Sequence, residues 1–271
     1  MAGVSTESLK KVEAVLAAQR AVSPDYLAKE LFAVVDVLDA DGGLRRALTD
    51  PSRSEQAREG IVQKVFRGKV SEPALNVFVA AATARWSAER DLADALEHVA
   101  VDATAQAAEV RAGANALETV LDELLTFINT LNSSAPAQIA LNDDRALPEA
   151  KKKLALTLAG SPATAEGQLL IERVSVAPRG MTPARLAEKF VEIIVKRQKR
   201  SVARVVSARP LTDAHIEKLR RGLSQAYGQE LKLDITVDPQ VIGGLKVQVG
   251  DDIIDGTVQS RLNELNRSIV A

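Results

Sequence analysis

The chain resembles itself when it is shifted by 93 positions. Residues 30–50, ELFAVVDVLDADGGLRRALTD, align with residues 123–143, ELLTFINTLNSSAPAQIALND. Six of these 21 positions are identical, Glu30 with Glu123 among them, and the apolar positions between them are also reproduced. Each copy is longer than a solenoid repeat, which spans roughly 20 to 50 residues. The pattern therefore indicates tandem duplication of a small domain.

Each copy is predicted to be helical, because apolar residues recur at helical spacing between capping and turn residues. Gly42-Gly43 is expected to end the second helix, and Asp50-Pro51 and Ser71-Glu72-Pro73 are expected to begin later ones. The segment after Pro73, ALNVFVAAATA, is apolar almost all round and is predicted to be the most buried helix of its bundle. Aromatic residues make up only 3% of the chain, which suits closely packed helices.

From about residue 200 the pattern changes to that of short strands. RSVARVVSA, KLDITV and GLKVQVG are rich in β-branched residues or alternate, and DIIDGTV predicts a further strand and turn. A helix capped by Thr212 lies between the first two, and QSRLNELNRSIV predicts a last helix. The fold class is therefore mainly α, with two tandem antiparallel helical bundles followed by a small α+β domain. The predicted boundaries are 1–108, 109–199 and 200–271.

The balance of charges excludes several classes of function. Lys and Arg number 35 and Asp and Glu 36, so no overall field attracts nucleic acid or anionic lipid. The absence of cysteine excludes disulfides, thiolate nucleophiles and cysteine-ligated zinc. No segment has the apolar length of a signal peptide or a membrane span. We expect a protein that does not insert into a membrane, either cytosolic or held at a membrane by partners.

The stretch DPQVIGGLKVQVGDDIIDG raises the possibility of a metal or anion site. A calcium loop that begins at Asp251 would need oxygen ligands where Ile253 and Leu262 stand. Gly243-Gly244 precedes a strand, whereas the phosphate-binding glycine motifs precede a helix. Turn and bulge geometry accounts for the same glycines and aspartates. We therefore predict neither a metal nor a cofactor.

No catalytic constellation is evident, and the chain is predicted not to be an enzyme. His98 and His215 lie in different predicted helices, and neither has a partner at metal-ligand or Ser/His/Asp spacing. The sequence leaves open that distant residues form a catalytic triad, so a hydrolase is a further hypothesis. Another hypothesis is a helical adaptor that binds nucleic acid or an acidic protein through the basic run 196–200, KRQKR. The run lacks interleaved aromatic residues, which favours a solvated helix end.

The C-terminal stretch resembles the signature of the delta subunit of F-type ATP synthases, called OSCP in mitochondria. The signature is an alternating strand, Asp-Pro, Gly-Gly, a second alternating strand, Gly-Asp, Ile-Asp-Gly and a helix with Arg-Leu. The similarity covers 200–271, and the first bundle, about 1–105, is similar to the six-helix N-terminal domain of the family. The matching residues here are Asp238, Gly243, Gly244, Gly250, Asp251, Asp255, Gly256, Arg261 and Leu262.

The second bundle departs from the ordinary family pattern. It is expected to be an insertion between the two usual domains, as in the long delta subunits of actinobacteria. The resemblance implies a non-catalytic subunit of the peripheral stalk, or stator, without a cofactor. Such a subunit links the top of the catalytic head to the stalk b subunit, so that the head resists rotor torque during proton-driven ATP synthesis. It also implies a peripheral location at the cytoplasmic face of the cell membrane, through the complex.

The resemblance implies two partner contacts. In the family, a groove formed by the first and fifth helices of the N-terminal bundle receives the N-terminal helix of an alpha subunit. The C-terminal domain meets the end of the stalk subunit, which places 238–262 at or behind that contact. A bundle core needs the same apolar residues that the groove would use, so core burial is the alternative role. The candidate residues are Leu9, Val12 and Leu16 on the first helix and Leu75, Phe78 and Val79 on the fifth.

Overall fold

The structure is a computed structural model of the chain, and it falls into two compact units, Met1–Ile194 and Val195–Ala271. None of the helices it describes is long and apolar enough to cross a membrane. The described residues are 3–19, 24–113, 115–160, 162, 164–200, 202–227, 231–238, 241, 243–250 and 252–255.

The first unit is helical throughout its described part, which confirms the predicted class. Ten helices lie within it and an eleventh runs on to Arg200. They are α1 (Gly3–Ala18), α2 (Pro24–Ala40), α3 (Gly42–Thr49), α4 (Glu55–Phe66), α5 (Glu72–Thr83), α6 (Glu89–Ala112), α7 (Ala116–Asn132), α8 (Ala135–Asn142), α9 (Pro148–Leu158), α10 (Ala165–Val176) and α11 (Pro183–Arg200).

The repeat found in the sequence is also a repeat of helices. The shift of 93 positions lays α3 on α8 and α5 on α10 with no offset, and it lays α2 on α7 and α4 on α9 to within one residue. We call α1 to α6 the first copy and α6 to α11 the second copy, so that α6 is counted in both.

Helix α6 belongs to both copies. The same shift carries α1 onto residues 96–111, which lie inside α6, so α6 is the last helix of the first copy and the first helix of the second. It contacts α1, α2, α3 and α5 on one side of the repeat and α7 and α10 on the other. The predicted boundary between 108 and 109 falls within this helix, and the division into three domains stays a prediction.

The shared helix is also the most buried one. Fourteen residues of α6 are buried, against six in α5, so the expectation that α5 is the most buried helix is wrong. Alanines make up half of the buried α6 positions. Because alanine leaves little side chain to hold neighbours apart, helices can approach α6 closely from several directions.

An acidic side chain holds the start of one helix in each copy. Glu30 of α2 accepts hydrogen bonds from the backbone N–H and the hydroxyl of Ser71, the N-cap of α5, with 2.7 Å to the nitrogen. Glu123 of α7 accepts the same two bonds from Thr164, the N-cap of α10, with 3.0 Å to the nitrogen. A carboxylate is favourable at a helix N-terminus because of the helix dipole. The identity of Glu30 and Glu123 therefore has a structural cause.

Two of the predicted helix ends are wrong, and one is confirmed. Gly42-Gly43 does not close α2; Asp41 caps the start of α3, and its carboxylate accepts from the N–H groups of Gly43 and Leu44. Asp50 is the C-cap of α3, and α4 begins only after Ser54, whose hydroxyl caps it. The prediction for Ser71 is confirmed, since its hydroxyl caps α5.

The second unit is a four-stranded sheet with one described helix, as predicted. Its elements are β1 (Val202–Ser207), α12 (Asp213–Tyr227), β2 (Lys232–Val237), β3 (Leu245–Val249) and β4 (Asp252–Asp255). The strand order is β2-β1-β3-β4, with β1 parallel to β2 and antiparallel to β3. Ala203, Val205, Val247 and Val249 pack with Leu223 of α12 in the core. The helix predicted after β4 lies outside the described residues.

The equivalence of the two acidic caps predicts matched effects of mutation. Glu30→Gln and Glu123→Gln should each lower the free energy of unfolding by about 1 to 2 kcal/mol, because each removes the charge that accepts two hydrogen bonds at a helix start. Urea denaturation of the full chain measures this. Glu59→Gln, at an exposed position, is the control and should change little. A clear loss for one cap variant and none for the other would contradict the equivalence of the copies.

Candidate functional site

An open groove lies between α1 and α5 of the first copy. Its volume is about 400 Å³, and Val4 and Val15 of α1 and Ala80 of α5 give it apolar surface. Val4 is 55% exposed, a high value for an aliphatic side chain on a helix. The polar lining residues are Glu7, Ser8, Lys11, Glu55, Thr83 and Arg85. A groove lined by both apolar and charged side chains suits an amphipathic helix.

Most of the residues predicted to bind a partner lie beneath this groove. Five of them are buried in the bundle core, and Val79 is half-buried. Their role as partner contacts stays a prediction. The surface residues that sequence reasoning missed are Val4, Val15 and Ala80. Val15 stands one position before Leu16 of the predicted stripe, and Ala80 stands one position after Val79. The available signal was therefore an apolar residue next to a stripe residue. The five buried residues are Leu9, Val12, Leu16, Leu75 and Phe78.

Side-chain hydrogen bonds fix the position of α1 along the groove. The hydroxyl of Ser5 donates to Asp91 of α6 at 2.6 Å and accepts from the N–H of Ser87 at 2.9 Å. The hydroxyl of Ser8 donates to the carbonyl of Arg85 at 2.6 Å. Both serines are buried, so these bonds resist exchange with water. The start of α1 is thereby tied to the segment that follows α5.

Arg58 fixes the end of α5, which forms the other wall of the groove. Its guanidinium donates to three carbonyls at the end of α5, those of Ala82, Thr83 and Ala84, at 2.9, 2.9 and 2.7 Å. A cation at a helix C-terminus satisfies unpaired carbonyls and favours the helix dipole. The second copy has Lys151 at the equivalent position, and it is buried too.

The two histidines do not form a catalytic centre in the described structure. His98 Nε2 lies 2.9 Å from Glu13 Oε1, which links α6 to α1. His215 is exposed in the first turn of α12, whose start is capped by Thr212 as predicted. Among the described residues, no group of three His, Asp or Glu side chains is arranged so that it could hold a metal ion. The basic run 196–200 forms the end of α11.

A buried ionic network joins the two copies. Arg179, after α10, reaches Asp39 of α2 at 2.5 Å and Asp94 and Glu97 of α6 at 2.8 and 3.0 Å, and Lys189 of α11 lies 3.4 Å from Glu97. The Glu97 side chain is fully buried and that of Arg179 is 4% exposed. Burial lowers the pKa of Arg179, but the nearby carboxylates of Glu97, Asp39 and Asp94 outweigh it and raise the pKa. Arg179 therefore stays charged.

The backbone of Arg179 indicates that this position is held under strain. Its φ is 54°, in the left-handed region that disfavours side chains. The guanidinium of Arg90 donates to its carbonyl. Such strain persists only when surrounding contacts over-determine the conformation. The ionic network supplies these contacts.

A second contact between the copies is aromatic. Phe32 of α2 lies 6.5 Å from Phe190 of α11, measured between ring centroids. Arg173 of α10 stands over the Phe32 ring, at 5.1 Å from its centroid, and pairs with Asp36 of α2. Stacking on the ring and pairing with the carboxylate both fix the guanidinium plane. Helix α2 is therefore bound to α10 and α11 of the second copy.

The second unit has an apolar groove of its own. Its volume is about 520 Å³, and it lies along α12 and the start of β3. Leu211, Leu219, Leu223 and Leu245 line it, with His215 and Lys218 at its margins. Only Leu223 among these leucines is buried. A continuous leucine surface of this kind is a candidate for binding an apolar partner helix.

The described residues of the C-terminal signature serve turns and strands. Gly243, Gly244 and Gly250 have φ values of 66°, 86° and 58°, which only glycine adopts without strain. The N–H of Asp238 donates to the carbonyl of Ser207 at 2.9 Å and anchors the segment after β2. Asp255 is in β4, opposite Lys246. Asp251, Gly256, Arg261 and Leu262 lie outside the described residues.

Comparison with known proteins gives a consistent result. The family model described as "ATP synthase delta (OSCP) subunit" matches residues 101–269. A protein of Kocuria rhizophila named ATP synthase subunit delta is 42% identical, with all of both chains covered. Proteins of the same name from Pseudarthrobacter chlorophenolicus and Streptomyces coelicolor are 41% and 36% identical, with 99% and 100% of this chain and 99% of each relative covered.

The family match covers one copy of the repeat together with the second unit. It begins inside α6 and runs through the second copy into the second unit. The segment outside the match is most of the first copy. The expectation that 109–199 is an insertion between the two usual domains stays a prediction.

The network around Arg179 predicts a large effect of mutation on stability. Arg179→Ala should lower the free energy of unfolding by about 3 to 5 kcal/mol, because it leaves the carboxylate of Glu97 buried beside Lys189 alone. Thermal and urea denaturation of the full chain measure the loss. Arg185→Ala removes an exposed partner of Glu188 and serves as the control, with no measurable change expected. If Arg179→Ala changed the free energy of unfolding as little as Arg185→Ala, the network would not stabilise the packing of the two copies.

Proposed function

Because the chain belongs to the ATP synthase delta (OSCP) subunit family, we propose that it is a non-catalytic subunit of the peripheral stalk that links the catalytic head to the stalk b subunit. The linkage keeps the head from turning with the rotor during proton-driven ATP synthesis. The subunit is held peripherally at the cytoplasmic face of the cell membrane, through the complex. Its task is to hold partners together, so its working parts are binding surfaces.

The observation that carries the proposal is the groove between α1 and α5. The proposed occupant is the N-terminal helix of an alpha subunit. The groove has apolar surface from Val4, Val15 and Ala80, and the hydrogen bonds of Ser5, Ser8 and Arg58 set its two walls. A groove that is already formed loses little conformational entropy when a helix enters it. Preformed walls therefore favour tight binding of a single helix.

The second proposed contact is between the second unit and the end of the stalk b subunit. The leucine groove along α12 offers the larger apolar surface for a helix, and Leu245 brings the family signature segment to its edge. The glycines of that segment shape the turn before β3 and so position Leu245. In this proposal the signature maintains the groove and the leucines make the contact.

A connector that resists torque must be stiff between its contacts. The shared helix α6 and the buried network of Arg179 join the two copies without a flexible linker. Several binding surfaces on one chain also raise the effective concentration of each partner for the next. None of these properties requires a catalysed reaction, which agrees with a non-catalytic role.

The groove of the first copy can be tested with a synthetic peptide that has the N-terminal sequence of the alpha subunit. Val15→Asp should weaken peptide binding to the full chain by about tenfold or more, because it buries an unpaired charge against the helix. Isothermal titration calorimetry measures the affinity. Ile139→Asp, at an aliphatic position that is 73% exposed on α8, is the matched control and should bind like the unmodified chain. Equal affinities for all three chains would remove the groove from the proposal.

The contact of the second unit can be tested with a peptide from the C-terminal end of the stalk b subunit. Leu219→Lys should reduce the affinity of the full chain for this peptide by about tenfold, since it places a charge in the leucine groove. Ile253→Lys is the control, because Ile253 lies on β4 and is 57% exposed on the sheet face opposite Val247. Circular dichroism checks that both variants are folded. A loss for Ile253→Lys alone would place the stalk contact on the other face of the sheet.

A further inference from the structure

The two copies differ at the face that forms the groove. Shifted by 93 positions, Val4, Lys11 and Val15 of the first copy correspond to Glu97, Thr104 and Ala108 of α6. All three of these α6 residues are buried, whereas Val4 and Lys11 are exposed and Val15 is half-buried. The face that is open in the first copy is therefore covered in the second.

Helix α2 contacts both helices that form this face. On the α10 side of the groove, Ala80 corresponds to Arg173, which is buried under Phe32 and Asp36 of α2. On the other side, α2 packs along α6. Helix α2 thus packs on α6 and is tied to α10 through Arg173. This is the place that a helix entering the first groove would take between α1 and α5.

We infer that α2 fills, in the second copy, the helix-binding groove that stays open in the first copy, so that the chain offers one such groove to partners. The inference rests on the proposed function for the statement that the open groove binds the alpha subunit. The covered groove supports that statement in turn, because it shows that this face of the repeat accepts a helix. The duplication has therefore not produced a second open groove for a partner helix.

The covered groove also gives the direction of the guest helix. Asp36 and Asp39 of α2 pair with Arg173 and Arg179 in the same order, so α2 runs parallel to α10. Arg111, at the end of α6, pairs with Glu166 at the start of α10, so α10 runs antiparallel to α6. A guest in the first groove should therefore run parallel to α5 and antiparallel to α1. Its C-terminal end should then lie near Val4 and its N-terminal end near Val15.

The chain has no cysteine, so single cysteines can test which groove is open. Val15→Cys and Ala108→Cys are at equivalent positions, and so are Lys11→Cys and Thr104→Cys. In the folded full chain, maleimide should label each first-copy cysteine on the order of 100-fold faster than its second-copy partner, which reacts only after local opening. Similar rates within both pairs would overturn the inference. Denaturant should make all four rates equal.

The alpha-subunit peptide tests the second half of the inference. It should bind with one equivalent per chain and protect Val15→Cys from maleimide. A cysteine at the N-terminal end of the peptide should form a disulfide with Val15→Cys, and one at the C-terminal end should do so with Val4→Cys. Two bound equivalents, or the opposite cross-links, would overturn the inference. If the peptide does not bind while the labelling contrast persists, the proposed alpha-subunit contact fails and the filling of the second groove by α2 stands.

Discussion

The packing of the first unit depends on the fact that one helix serves two bundles. Helix α6 has helices of both copies against it, so it has almost no side left for solvent along the stretch from Leu92 to Ala108. Only small side chains allow neighbours to approach from so many directions at native packing density, and α6 supplies alanines at those positions. The cost of this arrangement is that polar residues of α6 become buried as well. Glu97 is fully buried, and a carboxylate in that position must be paired.

The pairing of Glu97 explains why the second copy differs from the first at particular residues. Arg179 and Lys189 neutralise it, and Arg179 also binds Asp39 of α2. Arg173 stands where the first copy has Ala80, and it holds Phe32 and Asp36. These cations occur only in the copy whose face is covered by α2. The divergence of the two copies is therefore the consequence of packing one against the other, and it leaves only the first groove open.

Sequence reasoning predicted the parts of the fold that are governed by local rules. The strands of the second unit, the cap at Ser71 and the repeat of helices follow from alternation, capping and self-similarity. The shared helix could not be predicted, because alanines in α6 replace the apolar stripe that marks α1. The prediction that Gly42-Gly43 ends α2 was wrong because Asp41 caps the start of α3 immediately after α2. A glycine in the sequence does not indicate whether it ends one helix or begins the next. The roles of Arg173 and Arg179 could not be predicted, because their partners on α2 are more than 130 positions away.

Adding a domain through a shared helix has a mechanical consequence that a linker would not have. A flexible linker lets two domains rotate under load, since its backbone torsions are free. Here the junction is the middle of α6, a helix of 24 residues and so about 36 Å long. Bending it there would break several backbone hydrogen bonds at about 0.5 to 1.5 kcal/mol each, and it would also separate Arg179 from Glu97. The chain gains a bundle without gaining a hinge, and this stiffness suits the proposed role in resisting rotor torque.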